Sequence, residues 1–297
     1  MTMMPAQANL DADGRLRLRH GPIELIIEAF GATAARTGAL DAATRRFETI
    51  LDELVAELPM LRRRCPPGGL GLSGTVARRM AKAVQHFARQ HFITPMAAVA
   101  GAVADEIALV MAPHECEKFY VNNGGDIAFG LTPNAQLTAA MVAVPHQARA
   151  AGTVTLTAAN PARGLATSGR HGRSLSLGIA DAVTVLAENA ALADAAATLI
   201  ANRVDLPGHP AVRRQPASQL DPDSDLGAQP VTVDVGQLTL AESQQALAHG
   251  LFLAQDFCRA GHIVGAALML NREIRLCGAL PELEITQHDA LKEAVDA

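Results

Sequence analysis

The 297-residue chain has no tryptophan, one tyrosine (Tyr120) and eight phenylalanines. Aromatic platforms on which bases or sugars could stack are therefore few. Cysteine is scarce too: Cys65, Cys116, Cys258 and Cys277 show neither C-x-x-C spacing nor a paired histidine pattern. That speaks for reduced thiols in a cytosolic protein rather than for a zinc site or a disulfide framework. Concentrated positive charge is missing. The net charge is −5, and the arginines are scattered except for Arg62-Arg63-Arg64, where a helix end would favour them. A phosphate backbone needs a concentrated positive field, so no nucleic-acid partner is expected. Long hydrophobic runs are absent as well. The most apolar stretch, 96–112, is interrupted by Asp105 and Glu106 and reads as too short and polar to span a bilayer. Residues 1–10 lack a basic segment followed by an apolar run. The expectation is a cytoplasmic protein with no membrane partner.

What is present is small and apolar. Hydrophobic residues make up 49% of the chain, with alanine supplying much of that share. Such faces allow close backbone packing, and their extent makes a homodimer an expectation. The length suits one large domain with two halves, taken here as a single domain over 1–297. Alternating apolar positions predict strands in 15–29 around His20-Gly21-Pro22. Asp41 is a plausible N-cap for a helix ending at Pro59, and further helices are expected over 75–91 and, behind Thr94-Pro95, over 96–111. Strands are predicted near 117–122, 127–129, 138–144, 153–158, 174–177 and 181–186, followed by a helix over 189–202. The proline-rich stretch 203–230 reads as a loop or linker. A strand at 231–235, a capping box of Thr239 and Glu242, a helix closed by Gly261 and two final strands complete the chain. Strand pairs alternating with long helices predict α+β layers rather than a doubly wound sheet.

Three short motifs carry the chemistry. Asn122-Asn123-Gly124-Gly125-Asp126-Ile127 places two glycines between strands. There the backbone can approach a ligand, its N–H groups can form an anion nest, and Asp126 can accept from a ribose or an adenine. A plain hairpin turn explains the same residues. Thr167-Ser168-Gly169-Arg170 is a hydroxyl-bearing turn with cations behind it, suited to a diphosphate; a solvated polar turn is the alternative. Asp194 and Thr198 lie one helical turn apart and share a face that can offer oxygens to Mg²⁺. The helix dipole and back-bonding by threonine also account for that pair.

Together, in this order, the three motifs resemble the ApbE superfamily, whose best-known members are Mg²⁺-dependent FAD:protein FMN transferases. The chain is most similar to a short, soluble branch of it. The resemblance implies an α+β fold of two T-fold-like halves, antiparallel sheets covered by helices, and a nucleotide ligand: FAD or a related flavin or pterin nucleotide, with Mg²⁺. It places Asn123, Gly124, Gly125, Asp126, Thr167, Ser168, Gly169 and Arg170 at the cofactor, and Asp194 with Thr198 at the metal. Two departures stand out. Ala100 occupies the place of the family's flavin-contacting lysine, and the family's His-x-x-Asp-Pro-x-Thr-Gly loop has no counterpart. His171 and Asp181 are the candidate substitutes for catalysis. FMN transfer is therefore doubtful on the sequence. An enzyme of pterin-type one-carbon cofactor synthesis and a non-catalytic flavin carrier are the alternatives.

Overall fold

The computed structural model describes residues 5–144 and 149–285. The elements run β1 (Gln7–Leu10), β2 (Leu16–His20), β3 (Ile23–Phe30), α1 (Thr33–Leu61), α2 (Thr75–Gln85), α3 (Val99–Met111), β4 (Lys118–Asn123), β5 (Asp126–Leu131), β6 (Gln136–Val144) and β7 (Arg149–Thr157). Then follow β8 (Gly164–Ser168), β9 (Ala182–Ala187), α4 (Ala190–Arg203), β10 (Val212–Pro216), α5 (Ala217–Leu220), β11 (Pro230–Val235), α6 (Leu240–Arg259), β12 (Gly265–Leu270), β13 (Glu273–Gly278) and β14 (Glu284–Ile285). Antiparallel sheets with long helices make an α+β fold, as the strand and helix patterning predicts. The chain divides into two compact units. The first holds Met1–Leu137, Thr157–Ala166 and Ala187–Ala195; the second holds Thr138–Leu156, Thr167–Leu186 and Ala196–Ala297.

In the first unit β1 to β5 form an antiparallel meander in sequence order, and the start of β8 joins β5 through Ile127↔Leu165 and Ala128↔Gly164. Alternation decides which face is inside. Leu16, Leu18, Ile23, Leu25, Ile27 and Ala29 are all buried. Helix α1 buries Ala39, Ala43, Phe47, Ile50, Leu51, Leu54 and Leu61, a stripe at three- and four-residue spacing. That stripe continues back through Ala39, so the helix begins at Thr33 and Asp41 lies inside it rather than capping it. Pro59 does not end the helix either. It sits in the last turn, and the helix closes two residues beyond it at Leu61. Helix α2 stops at Gln85, earlier than the periodicity suggests, although Phe87 beyond it remains buried.

Thr94 takes the extended N-cap backbone, but its hydroxyl makes no cap bond, and a 3₁₀ turn, Pro95–Ala98, leads into α3. The helical stretch Pro95–His114 is 20 residues long and contains an 18-residue window of mean hydropathy 1.6, so by length and composition it could cross a membrane, contrary to the sequence expectation. Its burial, 56%, is that of a helix packed within the protein.

The second unit contains the antiparallel set β9-β12-β13 with α6 lying on β12 and β13, the set β14-β7-β6, and the ribbon β10-β11. Helix α6 carries the expected capping box: Glu242 N–H donates to Thr239 Oγ1 at 3.2 Å and Thr239 N–H donates to Glu242 Oε2 at 2.7 Å. Gly261 follows its end at φ +73°. The 203–230 stretch is not the plain loop its prolines suggest. It contains β10 and α5, and the pairing tolerates proline because Pro216 and Pro230 face each other at the ribbon's end. Residues 174–177 form no strand, whereas Thr167 and Ser168, taken as part of a turn, end strand β8.

The β12–β13 hairpin turns through Asn271 at φ +49° and Arg272 at φ +69°. Asparagine tolerates that region and arginine does not, the cost being about 1–2 kcal/mol per residue. Arg272→Gly should therefore raise stability by about 1 kcal/mol or less, since glycine also adds freedom to the unfolded chain. A higher urea midpoint at unchanged m is the expected reading; a lower midpoint would show that the arginine side chain contributes more than its backbone costs.

Candidate functional site

In the first unit three segments meet around the start of α4. Asp105 in α3 accepts N–H bonds from Ala190 to Oδ1 and from Ala191 to Oδ2, each at 2.9 Å. Asn189 Oδ1 accepts from the Leu192 amide at 2.9 Å. Three first-turn amides of α4 are thus satisfied, one of them by the residue preceding the helix and two from across the fold. Next to Asp105, Glu106 points elsewhere, as consecutive helix positions must. It accepts from Arg46 and Arg79 at 2.7 Å and from Thr75 at 3.0 Å, binding α3 to α1 and α2.

One turn into α4, Asp194 Oδ2 accepts from the Gly101 amide in the first turn of α3, at 3.1 Å. The approach requires glycine: a Cβ on Gly101 would stand 2.2 Å from the Ala190 carbonyl oxygen. Asn123, at the end of β4, donates from Nδ2 to the Ala100 carbonyl at 3.1 Å. Ala100, where the resemblance leads one to look for lysine, therefore contributes backbone to this cluster and only a methyl as side chain. Asp194 keeps some surface area, yet protein surrounds it so densely that burial is the strongest influence on its carboxyl. Burial first, then the negative charge of Asp126, hold its pKa well above the usual carboxylate value; Asp105 adds to this and the amides of Gly101 and Ala100 oppose it. Thr198 follows on the same helix, half-buried.

Asn123 and Asp126 pair across the β4–β5 hairpin, and both are buried. Gly124 and Gly125 turn the chain at φ +68° and +112°, with the Gly125 amide donating to Asn122 Oδ1 at 2.8 Å. The hairpin reading of this motif therefore holds for Asn122. It also leaves Gly125 in open space, where a Cβ would touch nothing within 4 Å.

The second unit contains the other motif. Thr167 and Thr184 share a hydroxyl contact of 2.9 Å across β8 and β9. Gly169 admits no side chain, since a Cβ would lie 2.4 Å from the Asp181 carbonyl. Arg170 donates to Asp181 Oδ1 from Nε at 3.0 Å and Nη2 at 2.7 Å, and His171 Nε2 stands 3.2 Å from the same oxygen. The Asn271 amide, from the strained hairpin, takes Asp181 Oδ2 at 2.7 Å. The structure thus brings His171 and Asp181 together, but around a carboxylate already engaged by three partners. Arg170, expected to offer its charge to a diphosphate, is committed to Asp181.

A separate cleft of about 620 Å3 lies in the first unit, walled by Asp105, Leu109, Phe119, Phe129, Leu131 and Arg163 among others. None of the expected site residues lines it. Among the described residues no group of three or more His, Cys, Asp or Glu side chains could hold a metal ion by itself. Any metal at Asp194 would draw on hydroxyl, carbonyl and water oxygens as well. Asp105 is the residue that sequence reasoning passed over. An acid breaking an otherwise alanine- and valine-rich helix was its one visible signal.

Burial pushes the Asp105 carboxyl up to about 6, against the amides of Ala191 and Ala190 and the charge of Arg79. Its folded pKa exceeds the unfolded one, so its contribution to stability is fully present below about pH 3.8 and is lost as pH rises through about 6. Compared with the non-titrating Asp105→Asn, the native protein should lose about 3 kcal/mol of relative stability between pH 3.5 and pH 7.5. Urea unfolding of both across that range checks it, and a flat difference would show that Asp105 titrates normally.

The sequence profile of the family described as AbpE bacteria matches residues 7–276. A UPF0280 protein of Methanopyrus kandleri is 35% identical over 161 residues, 54% of this chain and 62% of that relative. Another, of Methanococcus aeolicus, is 34% identical over 128 residues, 43% of this chain and 50% of that one. The chain thus spans between half and just under two thirds of the length of these relatives. Among solved structures, a mutant of the flavin transferase ApbE from Vibrio cholerae superposes with a TM-score of 0.48 at 12% identity, over 89% of this chain and 97% of that one. With its profile match running through nearly all of both units, the chain belongs to the AbpE bacteria family.

Proposed function

We propose that the protein binds a flavin nucleotide together with Mg²⁺, and that it does so without transferring FMN. The observation that carries this reading is the Asp194 carboxylate, set against the first-turn amides of α3 and weighed upon by Asp126. Two carboxylates in a crowded setting repel each other, and a hard cation relieves that repulsion while each oxygen keeps its ligand role. The donors within the first unit fit Mg²⁺: the Asp194 and Asp126 oxygens, completed by waters that Mg²⁺ gives up reluctantly. When bound, Mg²⁺ would neutralise diphosphate oxygens. The Gly124-Gly125 turn leaves space beside Gly125 into which the same anionic group fits, although the Gly125 amide itself is given to Asn122.

Transfer chemistry needs positioned cations to hold developing charge. Ala100 supplies a methyl, and Arg170 is held by Asp181. His171 and Asp181 are therefore read as positioning residues that fix the 167–170 loop rather than as acid and base. This favours a carrier over a transferase.

Mg²⁺ at a hundred times its Kd should stabilise the wild type by about 2.7 kcal/mol. Asp194→Ala should abolish that gain and, without metal, should lower stability by about 1–3 kcal/mol, because the Gly101 amide loses its acceptor. Flavin fluorescence should be quenched by the wild type with Mg²⁺ and at least tenfold less by the variant. FMN appearing covalently on an acceptor protein would overturn the carrier reading, and Mg²⁺-independent behaviour of the wild type would overturn the metal site.

A further inference from the structure

Two of the four cysteines meet in the second unit. Cys258 lies in the last turn of α6 and Cys277 near the end of β13, and their sulfurs are 3.2 Å apart. Nineteen positions separate them in the chain, so the closeness is tertiary. Both sides are held by regular structure. Cys277 is paired in register with Ala266 of β12, and α6 lies on that hairpin. Gly278 makes the room, since a Cβ there would stand 2.8 Å from Cys258 Sγ. The remaining thiols, Cys65 and Cys116, are buried in the first unit and free.

The geometry points to Cys258 and Cys277 as an oxidative modification site that closes to an intramolecular disulfide under hydrogen peroxide. One thiolate attacks a peroxide oxygen; the O–O bond breaks, giving a sulfenic acid and hydroxide. The other sulfur then attacks the sulfenic sulfur, so that an S–S bond forms, the S–O bond breaks and water leaves with the displaced proton. In sum two thiols lose two hydrogens and one peroxide becomes two waters. A sulfur at 3.2 Å needs to move only about 1.1 Å to reach bonding distance. Cys277 is buried and Cys258 half-buried, so a small oxidant reaches the pair more readily than a bulky disulfide does. Burial first, then the neighbouring Cys277, push the Cys258 thiol up to about 12, which makes closure slow at neutral pH and faster as pH rises.

The test is intact-mass and thiol counting on the full chain, treated with hydrogen peroxide, quenched with catalase and denatured without reductant. The expected result is a mass lower by two hydrogens, two of the four thiols lost, and one cross-linked peptide joining Cys258 to Cys277, all reversed by dithiothreitol. Cys258→Ser and Cys277→Ser should each abolish the two-hydrogen loss, while Cys65→Ser with Cys116→Ser should leave it intact. The last variant keeps both sulfurs of the pair, so the result does not hinge on a cavity at α6. Gain of oxygen at Cys258 without a cross-link, disulfides between copies, or four unreacted thiols after oxidant exposure at pH 8.5 would each overturn the inference.

Discussion

The pair of hydrogen bonds from the Ala190 and Ala191 amides to Asp105 is the interaction on which the first unit's chemistry depends. A buried carboxylate is costly unless its oxygens are satisfied, and the first amides of a helix are equally costly without acceptors. Each deficit meets the other. The result fixes where α4 starts relative to α3, and one turn later that decides where Asp194 stands against Gly101. The chemistry proposed for Asp194 therefore begins with a helix cap supplied from 85 residues away.

Much of the architecture could be read directly from the chain. The Thr239-Glu242 box, the glycine after α6 and the Gly-Gly hairpin are local devices whose partners lie within four residues, and all three stand where the sequence puts them. What escaped was non-local. Helix α1 extends back to Thr33 because Ala39 and Ala43 find a buried face, a fact alanine does not advertise. Strand β8 is five residues of small side chains, too brief to show alternation. Asp105 gave only the hint of a charge in an apolar helix, since its acceptor role exists only once α4 is folded against it.

The candidate site was legible as a set of residues and less so as a set of roles. Arg170 and His171 look like available cations in the sequence, but Asp181 lies eleven and ten positions on and claims both. Asp181 in turn fixes the Asn271 amide, so a loop read as ligand-facing is also the anchor of a hairpin turn. Charge that neutralises an internal carboxylate is not on offer to a diphosphate. Counting cations near a motif overstates what it can bind wherever a nearby acid folds back onto it.

The start of α4 is pressed from two sides by glycines. A Cβ on Gly101 would meet the Ala190 carbonyl at 2.2 Å, and one on Gly164 would meet the Ala190 nitrogen at 2.1 Å. With Asp105 and Asn189 holding its amides as well, this turn has neither room nor unsatisfied groups through which to fray. Helix termini ordinarily exchange their amide protons with solvent soonest, because opening them costs little. Here the order should be inverted: the amides of Ala190, Ala191 and Leu192 are expected among the slowest in the helix, their exchange requiring more than local breathing.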